Sequence, residues 1–94
     1  MRQEDAFFGE QELSLLYIAK RLKEALKLEQ VLNQAGIDYL VETDTYRGGF
    51  IFVSERVGAF FYTDDPSVPA ARKAMLEAGY KPYDQETGQI ASKD

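Results

Sequence analysis

The residues best suited to chemistry lie in one glycine-containing stretch, TYRGG at residues 45–49. The backbone amides of Gly48 and Gly49 can form a concave nest for an anion. Arg47 can pair bidentately with a phosphate or a carboxylate, and Tyr46 can stack on the ligand. The stretch therefore predicts a site for a small anionic ligand.

Arg56 follows a few residues later and completes this predicted ligand site. The stretch has neither the GK[ST] element nor the following helix of a phosphate-binding loop. A hairpin turn with a solvated arginine explains the same residues. The sequence leaves both interpretations open.

Glu29 places a carboxylate near the centre of the apolar side of a predicted helix. A buried carboxylate there would need a basic partner such as Arg47 or Arg56, and burial would shift its pKa. Such a group can act as a general acid or base. A boundary position, from which the side chain reaches water, is the alternative.

Basic residues cluster at the start of the same helix, at Lys20, Arg21, Lys23 and Lys27. The helix dipole disfavours positive charge at this end. An acidic partner, which includes the acidic ends of the chain itself, would explain the cluster. A solvated face relieved by a Lys20–Glu24 pair explains it as well.

The composition excludes most kinds of catalytic group. The chain has 94 residues and contains no cysteine and no histidine, so thiol nucleophiles, imidazole bases and the usual zinc sites are absent. Only acids, tyrosines and arginines are left for catalysis. We therefore predict a protein that is not an enzyme and has no cofactor, no metal site and no catalytic residue.

The net charge of -5 resides at the two ends of the chain. Residues 1–12 hold four acids and one base, residues 84–94 hold three acids and one base, and residues 13–83 are neutral. A neutral body predicts no nucleic-acid partner. The apolar runs are too short to cross a membrane, and the N-terminus has no signal-peptide core, so we expect a cytoplasmic protein.

Strands and helices alternate along the sequence. Apolar patterning and stop signals predict a strand at residues 13–18, a helix at 20–35 ended by Gly36, a strand at 37–42, a strand at 59–62, a helix from Asp64-Asp65-Pro66 to Ala78 ended by Gly79, and a short strand at 80–83. We predict an acidic tail at 1–12, one domain at 13–83 and a second tail at 84–94.

Part of the pattern occurs twice. QAGIDYL at residues 34–40 returns as EAGYKPY at 77–83, an offset of 43 residues that also lays Leu32 over Met75 and Tyr17 over Phe60. A doubled strand–helix–strand unit is typical of a ferredoxin-like α+β sandwich, an antiparallel sheet with two helices on one face. Phe50 to Val53 would disturb this order as a full strand, so we assign them to an inserted β-hairpin.

The run EALKLEQVLNQAGIDYLVE, at residues 24–42, resembles the first helix and strand of the prokaryotic signal-transducing protein family. These are small bacterial domains of unknown function that are also described as similar to nitrogen-regulatory PII proteins. GAFFYTDDPSVPAARKAML, at 58–76, is similar to the third strand and second helix of that family. The resemblance implies a ferredoxin-like fold and a regulatory or binding role. It supplies no catalytic motif, and the TYRGGFIFVSERV stretch departs from it.

Two aromatic runs, at residues 50–53 and 59–62, are apolar at successive positions instead of alternating. Because two helices cover only one face of a sheet, we expect something to cover the other face. A homodimer packed sheet to sheet is the simplest cover, Phe7 and Phe8 are the second, and a ligand cleft is the third interpretation. The predicted interface residues are Phe50, Phe52, Phe60, Phe61 and Tyr62.

These patterns favour a regulatory module that binds a small anionic ligand or a protein and forms a homodimer. A purely structural homodimerisation domain is the alternative, and a small enzyme that uses acids and tyrosines is the third hypothesis.

Overall fold

A computed structural model describes residues 1–48, 54–84 and 89–90. The elements are α1 (Asp5–Phe8), β1 (Leu13–Ala19), α2 (Leu22–Gln34), β2 (Leu40–Gly48), β3 (Ser54–Asp64), a 3-10 turn (Asp65–Ser67), α3 (Val68–Glu77), β4 (Tyr83–Asp84) and β5 (Gln89–Ile90). The strands and long helices between Leu13 and Tyr83 thus follow the predicted order, and the chain is an α+β protein. α1 and β5 lie in the segments predicted to be tails.

The main sheet has three strands in the order β1-β3-β2, and β3 runs antiparallel to both neighbours. The β2–β3 ladder extends from the Leu40–Tyr62 pair to the Gly48–Ser54 pair. β1 reaches only as far as Ala59 of β3. The outer parts of β2 and β3 therefore form a two-stranded ribbon beyond β1. Phe50 to Val53 of the predicted insertion lie outside the described residues.

One face of this sheet packs against both long helices. Cross-strand pairing puts Tyr17, Phe61 and Val41 on that face, with Ala59 two residues away along β3. They share one core with apolar residues of α2 and α3. The helix residues in this core are Ala25, Leu28, Leu32, Ala71 and Met75.

The two long helices end in the same way, as the sequence repeat predicts. Gly36 and Gly79 both have positive φ, at 74° and 91°, the conformation in which glycine is favoured after a helix. The amide of Ile37 donates to the carbonyl of Leu32, and the amide of Tyr80 donates to that of Met75. The 43-residue offset therefore matches two structurally equivalent helix ends.

The sequence repeat does not predict which face of the sheet the side chains of β1 and β3 occupy. A bulge between Leu15 and Tyr17 shifts the register of β1. Tyr17 consequently faces the helices, whereas Phe60, its predicted equivalent, faces away from them. The superposition of Tyr17 on Phe60 was therefore wrong, because the inserted bulge residue reverses side-chain parity.

Residues 1–12 lie against the sheet. The amide of Gln3 donates to the carbonyl of Tyr39 at 2.7 Å, and the amide of Tyr39 donates to the carbonyl of Met1 at 3.1 Å. The Met1 amino group bonds to the carbonyl of Ile37, and the Gln3 side chain bonds to Asp38. These bonds attach the N-terminal segment beside the start of β2.

The second face of the sheet is partly covered from within the chain. Leu40 pairs with Tyr62 on that face and is buried. Phe8 is only 2% exposed, although it lies outside the core shared with the helices. Residues 2–5 border Leu40 across a groove at the edge of the sheet. From the burial of Phe8 outside the helix-side core, we infer that its ring covers part of the second face.

The C-terminal part differs from the predicted strand at 80–83. Only Tyr83 and Asp84 form β4, which pairs with β5 and contacts β1. Tyr80 precedes the strand and is buried, with its hydroxyl bonded to the carbonyl of Glu24 at 3.0 Å. This bond attaches the chain after α3 to α2, while the Tyr80 ring packs against Tyr17 of β1. Among the described residues, no helix has the length and apolar character needed to span a membrane.

Candidate anion-binding cleft

The ligand site predicted from TYRGG falls on the β2–β3 ribbon. Tyr46, Arg47 and Gly48 belong to β2, where Tyr46 pairs with Arg56 of β3. Residues 45–48 therefore continue the antiparallel ladder as strand residues and do not form the turn of a hairpin. Arg56 is exposed, and Gly49 lies outside the described residues. An anion site on this ribbon stays a prediction.

The predicted interface residues separate into two groups. Phe61 is 0% exposed and stacks on Tyr39 in the helix-side core, so its side chain is not available to a second subunit. Phe60 and Tyr62 are half-buried on the opposite face. Phe50 and Phe52 lie outside the described residues.

A different site is visible elsewhere in the fold. A cleft of about 570 Å³ opens between the start of α2, the end of β1 and the turn that follows α3. Its volume lies within the range of about 300 to 1,000 Å³ that is typical of small-molecule sites. The cleft thus brings together residues 17–27 and 78–80, which are far apart in the sequence.

Two tyrosines and one carboxylate form the inner part of the cleft. The Tyr17 hydroxyl donates to Glu24 Oε2 at 2.5 Å, and the Lys20 amide donates to Glu24 Oε1 at 3.1 Å. The rings of Tyr17 and Tyr80 pack edge to face with centroids 5.3 Å apart. Both carboxylate oxygens of Glu24 are therefore engaged by groups of the chain itself.

Burial raises the pKa of Tyr17 well above its ordinary value, and the Glu24 hydrogen bond and charge raise it further. Burial, followed by the charge of Glu24, raises the pKa of Tyr80 as well. Both hydroxyls stay protonated at neutral pH. They can donate hydrogen bonds, but they are poorly suited to act as bases.

Basic side chains form the rim of the cleft. Lys20, Arg21, Lys23 and Lys27 line it and are exposed to solvent. Lys23 and Lys27 are one turn apart on α2, a spacing at which like charges destabilise a helix by about 0.2 to 0.5 kcal/mol. Glu24 is the one carboxylate in this lining. Among the residues that line the cleft, basic side chains therefore outnumber acidic ones.

The start of α2 also lies at this rim. α2 begins after Arg21, and the Arg21 side chain makes no capping hydrogen bond to the first turn. The first amides of a helix lack intrahelical acceptors and carry a partial positive charge. Amides and basic side chains thus point to the same kind of ligand, an anion.

Glu29 has partners that its sequence context did not predict. Glu29 Oε1 accepts a hydrogen bond from the Tyr39 hydroxyl at 2.9 Å, and Glu29 Oε2 lies 3.5 Å from Arg2 Nη1. Arg2 therefore takes the place proposed for Arg47 or Arg56. The pair joins the N-terminal segment to α2 and lies outside the cleft.

Sequence reasoning identified the basic residues of the rim but not the cleft behind them. Tyr17 and Tyr80 lie in predicted strands, and Gly79 is a predicted helix end. The one usable signal is Tyr80, a bulky aromatic residue directly after the Gly79 stop, whereas Ile37 follows Gly36. In the three described ranges, no group of three or more acidic side chains is placed to hold a metal ion.

The raised pKa of Tyr17 predicts a dependence of stability on pH. Its folded-state pKa lies above the ordinary 10.0, so its contribution is complete below pH 10 and is lost as the pH rises further. Above pH 10, each tyrosine that stays protonated in the folded state lowers the free energy of unfolding by up to about 1.4 kcal/mol per pH unit. Urea unfolding at pH 9 and pH 11 should therefore show a smaller loss of stability for Tyr17→Phe than for the wild type. An equal loss in both proteins would contradict the assigned environment of Tyr17.

Comparisons with family models, with curated proteins and with solved structures gave no significant match.

Proposed function

We propose that this chain is a non-enzymatic regulatory module that binds a small anionic ligand in the cleft beside the start of α2. One observation carries the proposal: Arg21, Lys23 and Lys27 line one side of a cleft whose single lining carboxylate, Glu24, is already engaged by Tyr17 and by the Lys20 amide. Glu24 compensates only part of the positive charge. An anion bound in the cleft would compensate the remaining positive charge.

The uncapped start of α2 supports the same ligand. A helix N-terminus binds anions through its free amides and its dipole. Arg21 adds a planar fork of donors, and Lys23 adds a mobile charge. Both residues line the cleft at the first turn of the helix.

Binding is favoured over catalysis because the cleft lacks a group suited to move protons near neutral pH. The chain has no histidine and no cysteine. Tyr17 and Tyr80 hold their protons, and Glu24 is fixed by hydrogen bonds. An enzyme that uses acids and tyrosines remains the third hypothesis, and the purely structural domain remains the second.

The fold that we propose for this function is a ferredoxin-like sandwich. The strand order β1-β3-β2, the contact of β4 with β1 and the two helices on one sheet face support it. The ribbon beyond Ala59 supports a hairpin insertion at residues 45–57. The suggested kinship with the small bacterial signal-transducing domains rests on the sequence resemblance and agrees with a regulatory role.

We also propose that the chain forms a homodimer through the second face of the sheet. The N-terminal segment leaves Ile18, Phe60 and Tyr62 half-buried and Phe7 52% exposed. A second copy would remove this apolar surface from water. Light scattering after size-exclusion chromatography should then give twice the chain mass of 10.7 kDa; a single-chain mass at micromolar concentration would contradict this.

A thermal-shift screen against inorganic and organic anions tests the binding proposal. A ligand that binds only the folded chain raises the melting temperature, and the shift grows with its concentration. The double variant Lys23→Gln/Lys27→Gln should lose most of this shift. A matched control, Lys73→Gln/Lys81→Gln, removes two exposed lysines outside the cleft lining and should keep it.

Two results would overturn the proposal. One is the absence of a shift with every anion tested. The other is a shift that both double variants reduce equally, because it would reflect net charge and not the cleft.

A further inference from the structure

We propose that the ligand of the cleft is a small molecule with at least two phosphate groups. This inference rests on the proposed function and specifies its ligand. It follows from the length of the basic rim, from the two kinds of donor along it, and from the distribution of charge over the chain.

The rim is longer than one anionic group. Arg21 directly precedes α2, and from Leu22 to Lys27 the helix advances by about 7.5 Å, at about 1.5 Å per residue. Arg21, Lys23 and Lys27 line the cleft. A single phosphate or carboxylate measures only about 2.5 Å between its oxygens, so it can neutralise one end of the rim. Two linked groups can reach both ends.

The donors along the rim form two subsites. At one end lie Arg21 and the first amides of α2, to which the Arg21 side chain makes no capping hydrogen bond. At the other end, Lys23 and Lys27 lie one turn apart and repel each other. A phosphate between these lysines would turn that repulsion into two attractive contacts, while a second phosphate occupies the start of the helix.

Phosphate suits these donors better than carboxylate does. A phosphate group carries up to two negative charges and three acceptor oxygens, whereas a carboxylate carries one charge and two. Helix N-termini and arginine forks are recurrent phosphate ligands. The excess charge of the rim therefore matches two phosphates more closely than two carboxylates.

The charge of the whole chain favours a small molecule over a long polyanion. The net charge is -5, and residues 1–12 are strongly acidic. A nucleic acid or a sulfated polysaccharide would extend beyond the cleft and meet this negative field. A ligand of the size of the cleft avoids it.

The inner tyrosines add a place for the rest of the ligand. The Tyr17–Tyr80 pair gives the cleft an aromatic surface behind its basic rim. Their hydroxyls are engaged by Glu24 through its carboxylate and its carbonyl, so the rings offer mainly apolar contact. The organic part of a phosphorylated molecule can pack there.

Isothermal titration of the full chain with orthophosphate, pyrophosphate and tripolyphosphate, at constant ionic strength and without divalent cations, tests this proposal. Pyrophosphate is expected to bind at least about tenfold more tightly than orthophosphate, because it fills both subsites. Lys23→Gln/Lys27→Gln should reduce pyrophosphate affinity at least about tenfold and orthophosphate affinity much less. Lys73→Gln/Lys81→Gln should change neither, and the melting temperature of each variant confirms that it is folded.

Equal affinities for orthophosphate and pyrophosphate would overturn the two-phosphate ligand but leave an anion site. Succinate or citrate binding as tightly as pyrophosphate, with the same loss in the cleft variant, would overturn the phosphate class and retain the proposed function. Tighter binding of heparin than of tripolyphosphate would overturn the small-molecule ligand. Failure of all these anions to bind would overturn both proposals.

Discussion

Replacing Phe8 by alanine is expected to lower the free energy of unfolding by about 3 to 5 kcal/mol, the usual effect of removing a buried phenylalanine. Phe8 is 2% exposed, although it belongs to a four-residue helix in a segment expected to be a tail. Phe7→Ala is the matched control. Phe7 is 52% exposed and touches Phe8 edge to face, so its loss should cost at most about 1 kcal/mol.

Urea unfolding followed by circular dichroism measures both variants. If Phe8→Ala is too unstable to purify, Phe8→Leu should give a smaller loss in the same direction. Losses of about 1 kcal/mol or less for both variants would mean that Phe8 does not cover the sheet. A dimer partner or a ligand would then be left as the cover of the second face.

The second prediction with a large expected effect compares the stability losses caused by substitutions on the two faces of β3. Phe61→Ala is expected to lower the free energy of unfolding by about 3 to 5 kcal/mol at every protein concentration, because its ring is fully buried and lies 5.9 Å from the ring of Tyr39. Phe60→Ala should have a smaller effect, since Phe60 is half-buried on the opposite face.

The Phe60→Ala variant also tests whether two copies of the chain associate through the second face of the sheet. If two copies meet at the second face, Phe60→Ala should lower the mass measured by light scattering, while a folded Phe61 variant such as Phe61→Leu should keep it. A dimer that is insensitive to Phe60→Ala would place the interface elsewhere. A larger stability loss for Phe60→Ala than for Phe61→Ala would contradict the register of β3.

Local patterns in the sequence predicted the helices and their ends well. α2 lies within two residues of its predicted range, and α3 ends within one residue but begins at Val68, after a 3-10 turn at the predicted start. Apolar periodicity and the glycine stops act over a few residues, so a single sequence shows them. Gly36 and Gly79 have the positive φ that their positions require. Asp64 caps the turn before α3, where its side chain accepts a hydrogen bond from the Ser67 amide at 2.9 Å.

The cleft could not be predicted, because it depends on how distant segments pack. Its basic rim comes from α2, whereas Tyr80 reaches it from the turn after α3. No spacing in the sequence indicates that these parts meet. The Tyr80–Glu24 hydrogen bond that holds them together joins residues 56 positions apart.

The N-terminal segment was missed for a different reason. Residues 1–12 are mostly polar and show neither a helical nor an alternating apolar period, so composition indicated a tail. The segment is attached by backbone hydrogen bonds to Tyr39 and by the Arg2–Glu29 pair, and neither leaves a pattern in a single sequence. The adjacent phenylalanines were the one usable signal, and they were considered only as the second choice of cover.

The most direct test of the central claim, that the cleft beside α2 binds an anion, is an NMR titration of the isotope-labelled chain with pyrophosphate. The amide signals of Arg21, Lys23 and Gly79 should shift together and reach saturation. A saturating response confined to the β2–β3 ribbon around Arg47 and Arg56 would place the anion at the site indicated by the sequence and contradict the cleft. The absence of any saturating shift would contradict anion binding itself.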